Sequence, residues 1–203
     1  MRIEANTLII VTCFSITVFV LSSLALAASP QLERAVLLSE SVRADSPLEA
    51  HEALERHEDV RRFIMSGGEL EGATDDEASH LVDVRRLTEI LIGVSLLLMA
   101  VGIGAMRRTK LGYRAIARRV SVSVIGIVLM LGILSLIGGF DTAFWNFHFL
   151  FFPQGNFTFP IDSYLITLYP QVFFAHMAAW IAGLTIAFMG VVWVVSREPP
   201  RGA

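Results

Sequence analysis

One cysteine, Cys13, is all that the 203 residues contain. A single thiol excludes an intrachain disulfide and any metal site built from several cysteines. It sits inside the first apolar segment, where packing is its expected role. The preceding Val11-Thr12 lacks the small residue expected ahead of a lipidated cysteine, so the chain is not itself read as a lipoprotein. Other absences narrow the chemistry further. There is no G-x-S-x-G elbow, no H-E-x-x-H pair and no glycine-rich phosphate cradle, so hydrolase, zinc-protease and nucleotide readings lose their usual signatures. No basic stripe interleaved with aromatics points to nucleic acid. Internal repeats and low-complexity tracts are absent as well. Charges are scarce inside the apolar segments, which disfavours a transporter with intramembrane ion sites.

What is abundant is apolar surface. Hydrophobic residues make up 54% of the chain, and the mean hydropathy is +0.62. That composition belongs to membrane proteins. Four segments have roughly the 20 residues a helix needs to cross a bilayer: about 7–28, 87–106, 120–139 and 172–195. For the first, Leu24-Ala25-Leu26-Ala27-Ala28 also resembles a signal-peptidase site. A retained anchor is favoured, because the apolar run is long and Arg2 is the single basic residue ahead of it. The net charge is −3, but its distribution matters more. Arg107, Arg108, Lys110, Arg114, Arg118 and Arg119 crowd the 107–119 loop with no acid among them. Short basic loops stay cytoplasmic, so both termini are expected inside, with 29–86 and 140–171 outside. The expected architecture is one all-α integral membrane domain over 1–203, located in the cell (cytoplasmic) membrane. It has four transmembrane helices, N-in and C-in, under a small extracytoplasmic cap of short helices and an aromatic loop.

The first outer segment carries fourteen acids against seven arginines. Ser46-Pro47-Leu48-Glu49 has the form of a capping box with proline at the first helical position. Leu48, Leu54, Val60 and Ile64 then recur near helical spacing, and Gly67-Gly68 supplies a stop. These features predict an amphipathic helix over 47–66. His51 and His57 lie on it six residues apart, which is not the spacing that places two metal ligands on one face; they read as two solvated histidines, and no metal or other cofactor is expected. Thr74-Asp75-Asp76-Glu77 forms a second capping box, with acids where the helix dipole favours them. The helix it starts is expected to run directly into the second span, carrying His80 and Asp83 on one face.

The second outer segment is organised by Phe140–Tyr169, which holds eight of the fourteen phenylalanines. Pro153, Gly155 and Pro160 forbid one continuous helix there. Aromatic rings favour the lipid–water boundary, so this stretch reads as a site-building loop at that surface. His148 lies in its middle, with Asp141, Asn146, Asn156 and Asp162 around it. Imidazole suits proton transfer near neutral pH, and Asp83 could hold a tautomer of His80 through a ring N–H. From spacing alone, two cooperating histidines compete with a structural role for either. Asn156 and Asp162 could equally serve as loop formers bonded to their own backbone. Tyr164 and Tyr169 fit an aromatic belt. His176, in the fourth span, could act or simply bond a neighbouring helix.

The run Trp145-Asn146-Phe147-His148-Phe149-Leu150-Phe151-Phe152, followed by Gly155-Asn156-Phe157, Phe159, Asp162, Leu165-Ile166 and Tyr169-Pro170, resembles the lipoprotein intramolecular transacylase family of small four-span bacterial membrane proteins. Glu77, His80, Leu81, Asp83 and Val84 resemble its second signature. Phe157 departs from the tryptophan common after the Gly-Asn pair. The resemblance implies an acyltransferase that moves the sn-2 acyl chain of a diacylglyceryl lipoprotein to the α-amino group of its N-terminal cysteine. The product would be a lyso-form lipoprotein. It implies His80 and His148 as the catalytic pair, with Asp83, Asn146, Asn156, Asp162 and Tyr169 as supporting or substrate-binding residues. Partners would be diacylglyceryl-modified lipoproteins and membrane phospholipid. The competing expectation is a non-catalytic membrane protein whose outer loops bind a lipid or protein partner. The two separate on whether His80 and His148 converge.

Overall fold

The computed structural model describes residues 2–197, with side chains from residue 5 onward. Nine helices and no strand occur among the described residues. They are α1 (Arg2–Ala27), α2 (Pro30–Leu37), α3 (Glu40–Asp45), α4 (Ala50–Ser66), α5 (Asp75–Met106), α6 (Tyr113–Gly138), α7 (Phe140–Phe151), α8 (Tyr164–Leu168) and α9 (Gln171–Val195). Helices α1, α5, α6 and α9 are long and apolar enough to cross a membrane, each with a window of mean hydropathy of at least 2.1. Helix α6 begins at Tyr113, inside the expected 107–119 loop. Ala115, Ala117 and the arginines of that stretch are strong helix formers, which explains the early start.

Packing groups the chain into two compact units. One comprises residues 1–25, 91–134 and 181–203, the other 26–90 and 135–180. In the first, Ile116, Val120, Val124 and Val128 of α6 form a stripe at i, i+4 spacing that packs with Ile10 and Met189. Thr17 donates to the Ser95 carbonyl at 3.2 Å. Gly102 admits the Phe14 ring so closely that a Cβ there would sit 3.2 Å from it. Elsewhere Leu97, Ile133, Phe188 and Val191 stay exposed. Large apolar side chains left outside in such number mark surfaces solvated by lipid.

The second unit gathers the short helices around α4. The expected 47–66 helix is shorter, and its capping box does not form. Ser46 accepts from the Leu48 N–H at 3.3 Å and donates to the Thr167 carbonyl at 2.7 Å, so its hydroxyl ties the chain to α8. Helix α4 starts after Glu49 and buries Ala53, His57, Val60 and Phe63. This stripe is rotated from the expected one and has a histidine at its centre. His57 is 1% exposed; its Nδ1 meets the Tyr169 hydroxyl at 2.8 Å. The expectation of two solvated histidines therefore fails for His57. Glu33 of α2 pairs with Arg61 of α4 and approaches His57. Burial, with Glu33 nearby, pushes the Tyr169 hydroxyl well above its ordinary pKa, so it stays protonated. Helices α2 and α3, absent from the sequence reading, supply Val36, Leu37 and Val42 to this core.

The second capping box forms as expected. Glu77 accepts from the Thr74 N–H at 2.9 Å and hydroxyl at 3.0 Å, while Thr74 Oγ1 accepts from the Glu77 N–H at 3.3 Å. The other oxygen of Glu77 accepts from the Leu165 N–H at 2.7 Å, holding the start of α8. Helix α5 then continues for 32 residues, about 48 Å at 1.5 Å per residue, against roughly 30 Å of hydrocarbon. Its first turns carry Asp75, Asp76, Glu77, Asp83, Arg85 and Arg86. The apolar remainder is 87–106, and His80 precedes it.

Candidate active site

Two helices supply the candidate pair. His80 lies in the second turn of α5, fixed by the Thr74–Glu77 cap below it. His148 lies in the last turn of α7. Gly139 turns the chain between α6 and α7 with φ +80°, a backbone conformation natural to glycine. The ring centroids of His80 and His148 are 6.0 Å apart and inclined by 27°. Sequence positions 68 residues apart thus meet in one place.

Phenylalanines enclose the pair. Phe152, 2% exposed, sets its ring 4.8 Å from His80 and 5.7 Å from His148. Phe159 covers His80 at 5.8 Å. Phe144 and Phe157 flank His148 at 4.2 and 5.2 Å. Such a casing disfavours a charged imidazole. Burial, reinforced by His148 and partly opposed by Asp83, lowers the His80 pKa to about 4. Burial also lowers that of His148, against the opposing effect of its bond to the Phe144 carbonyl. Both rings are therefore neutral at neutral pH, able to accept a proton.

Hydrogen bonding fixes one tautomer. His148 Nδ1 lies 2.8 Å from the Phe144 carbonyl, an atom that can only accept. Nδ1 therefore carries the hydrogen, and the lone pair lies on Nε2. His80 Nδ1 is buried with no hydrogen-bond partner among the described residues.

Asp83 does not hold the His80 ring by a hydrogen bond. Its Oδ2 accepts instead from Gln154 Nε2 and Asn156 Nδ2, each at 2.8 Å. Asn156 also reaches Ser79 Oγ at 3.3 Å. One carboxylate thus clamps the 152–163 loop onto α5 and holds Phe152, Phe157 and Phe159 near the imidazoles. Because Asp83 can only accept here, the amide nitrogen of Asn156 must face it, leaving Oδ1 on the other side. That Oδ1 is buried and unpartnered among the described residues. Asn156-Phe157-Thr158 also has the form of a glycosylation sequon, but here its amide is bonded and Phe157 is buried.

Other sequence candidates make no hydrogen bond or ring contact with the pair among the described residues. Asn146 and Asp162 are exposed. The Tyr169 hydroxyl lies 2.8 Å from His57 Nδ1, and His176 meets Ser41 at 3.4 Å. Among the described residues no three His, Cys, Asp or Glu side chains gather in a way that could hold a metal. Gln154 and Ser79 escaped the sequence reading; the only local hint was the Pro153-Gln154-Gly155-Asn156 turn.

The family model described as "lipoprotein intramolecular transacylase Lit" matches residues 8–174. The chain belongs to this family. Its members are membrane acyltransferases, and this chain is one by that membership. Three solved structures share the fold, all of the membrane-integral lipoprotein intramolecular transacylase from Bacillus cereus. One matches with a TM-score of 0.77 at 15% identity, covering 95% of this chain and 93% of that one. A variant with a histidine changed to arginine matches at 0.75 and 16%, over 96% and 90%. A histidine-to-alanine variant matches at 0.75 and 16%, over 96% and 91%. At this identity the likeness is one of fold. No curated protein sequence matches the chain.

Proposed function

We propose that this transacylase converts diacylglyceryl lipoproteins to the lyso form at the outer face of the cell membrane. Both termini would lie inside, with 29–86 and 140–171 forming the extracytoplasmic cap of a single catalytic domain. The observation that carries the reading is the convergence of two neutral imidazoles, centroids 6.0 Å apart, inside a case of phenylalanines.

In the proposed reaction, the α-amino nitrogen of the substrate cysteine attacks the carbonyl carbon of the sn-2 ester. Amine and ester are tethered to the same residue, so holding them close replaces much of the entropic cost of meeting. His148 Nε2, with its free lone pair, takes the proton that leaves the nitrogen. The tetrahedral oxyanion collapses, the bond from carbon to the sn-2 oxygen breaks, and that oxygen receives the proton that His148 took, relayed through His80. The products are an amide and a free sn-2 hydroxyl, with no covalent acyl-enzyme. Asp83 positions the loop, and Asn156 Oδ1 offers an acceptor for the substrate amine. Tyr169 braces the cap through His57. Exposed Asn146 and Asp162 would meet the polar part of the lipoprotein, while bilayer phospholipid solvates the spans.

Expression in a host lacking lipoprotein N-acylation, with mass spectrometry of a reporter lipoprotein's N-terminal peptide, tests this. Wild type moves one acyl chain from glycerol to nitrogen. His80→Ala and His148→Ala each lower the yield about 100-fold or more, the scale of a lost general acid or base. An unmodified diacylglyceryl peptide with well-expressed wild type would overturn the reading in favour of a binding role.

A further inference from the structure

A second site lies within the unit formed by 1–25, 91–134 and 181–203. A groove of about 340 Å³ runs beside α6, walled by Phe14, Val18, Met106, Ala117, Val120 and Val192 among others. Its wall is almost wholly apolar; the one serine there, Ser121, gives its hydroxyl hydrogen to the Ala117 carbonyl at 2.9 Å. Along the chain beside these lining residues the chemistry changes abruptly. Arg107 and Arg108 follow Met106, and Lys110 follows them, all exposed. Arg114 meets the hydroxyl of groove-lining Tyr113 at 3.3 Å. Arg197 lies 3.6 Å over the Trp193 ring, next to groove-lining Val192.

We propose that this groove binds an anionic phospholipid, one acyl chain in the groove and the phosphate among the surrounding cations. A basic loop that only marks membrane orientation needs no apolar slot at its foot. Here the slot, two interfacial aromatics and several guanidinium groups occur together, the combination that recognises acidic headgroups next to a span. The absence of any acid from 107–119 selects the headgroup. An ammonium-bearing zwitterion would place a cation among cations, whereas a headgroup with net negative charge would not. The site is independent of the histidine pair.

The test uses the full chain purified in neutral detergent and titrated with four probes, read by native mass spectrometry and thermal unfolding. They are phosphatidylglycerol, phosphatidylcholine, diacylglycerol and free glycerol phosphate. Phosphatidylglycerol binds saturably, at least ten-fold tighter than phosphatidylcholine, and raises the melting temperature as a native-state ligand must. Diacylglycerol lacks the charge and glycerol phosphate lacks the chain, so neither saturates. Arg107→Gln with Arg108→Gln weakens phosphatidylglycerol at least ten-fold. Ala117→Phe, filling the groove with every charge intact, does the same; Ala117→Leu provides a milder filling if the larger ring unfolds the protein. Val122→Phe, on an exposed face of α6, leaves binding unchanged. Equal binding of the two phospholipids would overturn the proposal. So would groove-filling variants that bind phosphatidylglycerol like wild type, since charge alone would then account for the attraction.

Discussion

At the scale of single residues, the site is defined by what burial does to imidazole. His80 is held neutral in the folded chain with a pKa near 4, against an ordinary 6.5. Between those values the unfolded chain binds a proton that the folded chain refuses, so stability rises with pH across that window. The contribution is whole above about 6.5 and is lost as pH falls toward 4, up to roughly 3 kcal/mol at 1.36 kcal/mol per unit. His80→Gln removes the titration. In detergent, the gap between wild-type and variant melting temperatures should therefore change between pH 7 and 4, with wild type losing more on acidification. A gap that stays constant with pH would show that His80 is not buried as a neutral ring. Asp83 opposes the lowering, so Asp83→Asn should carry the His80 limb of the activity–pH profile to still lower pH. Spacing alone left open whether the two histidines cooperate, because only the loop's return to α5 brings 80 and 148 together; the pairing came from the family resemblance. Asp83 was read as a partner for its i−3 neighbour. Its actual partners, Gln154 and Asn156, are more than seventy residues away, and no local spacing reports such contacts. His57 was misplaced for a related reason. A polar residue on a weakly amphipathic helix reads as solvated until a distant hydroxyl, here Tyr169, satisfies it.

At the scale of elements, Glu77 is the residue on which two helices depend. Its buried carboxylate completes the cap of α5 and receives the Leu165 N–H in the first turn of α8. Burial alone would raise its pKa, but the bonds from Thr74, Leu165 and Ser163 outweigh that and lower it below 4.5. Its contribution to stability is therefore present above the unfolded value and lost as pH falls through the folded one. Glu77→Ala strands several buried donors, at about 1–3 kcal/mol for leaving one unpaired. Such a variant should melt well below wild type and lose acyl transfer although both histidines remain. Glu77→Gln, which keeps an acceptor oxygen, should recover part of both. If Glu77→Ala melts like wild type, the carboxylate is not the tie between α5 and α8. This element was readable because a capping box is local and its partners lie three residues apart. The other proposed box does not form because the helix starts later, after Glu49, while the Ser46 hydroxyl accepts from the Leu48 N–H and donates to the Thr167 carbonyl, a partner that no window of adjacent residues contains.

At the scale of the molecule, the four spans were the most legible feature, since twenty apolar residues leave few alternatives and lipid accepts them on every side. The short helices of the second unit were least legible, because they are stabilised by each other rather than by their own periodicity. What the spans leave open is direction. The basic loop argues that 107–119 faces the cytoplasm, and the proposed reaction needs the histidines on the other face. The lone cysteine makes this easy to measure. Cys13 is buried, and Cys13→Ser removes the only native thiol. On that background Glu69→Cys and Lys110→Cys each place one thiol at an exposed position, where maleimide reacts readily with the thiolate. In intact cells a membrane-impermeant maleimide should label the thiol at 69 at once and that at 110 only after permeabilisation. The reverse pattern would turn the cap inward, away from any lipoprotein displayed on the outer leaflet, and the proposed substrate would fall with it even if the histidine variants proved inactive.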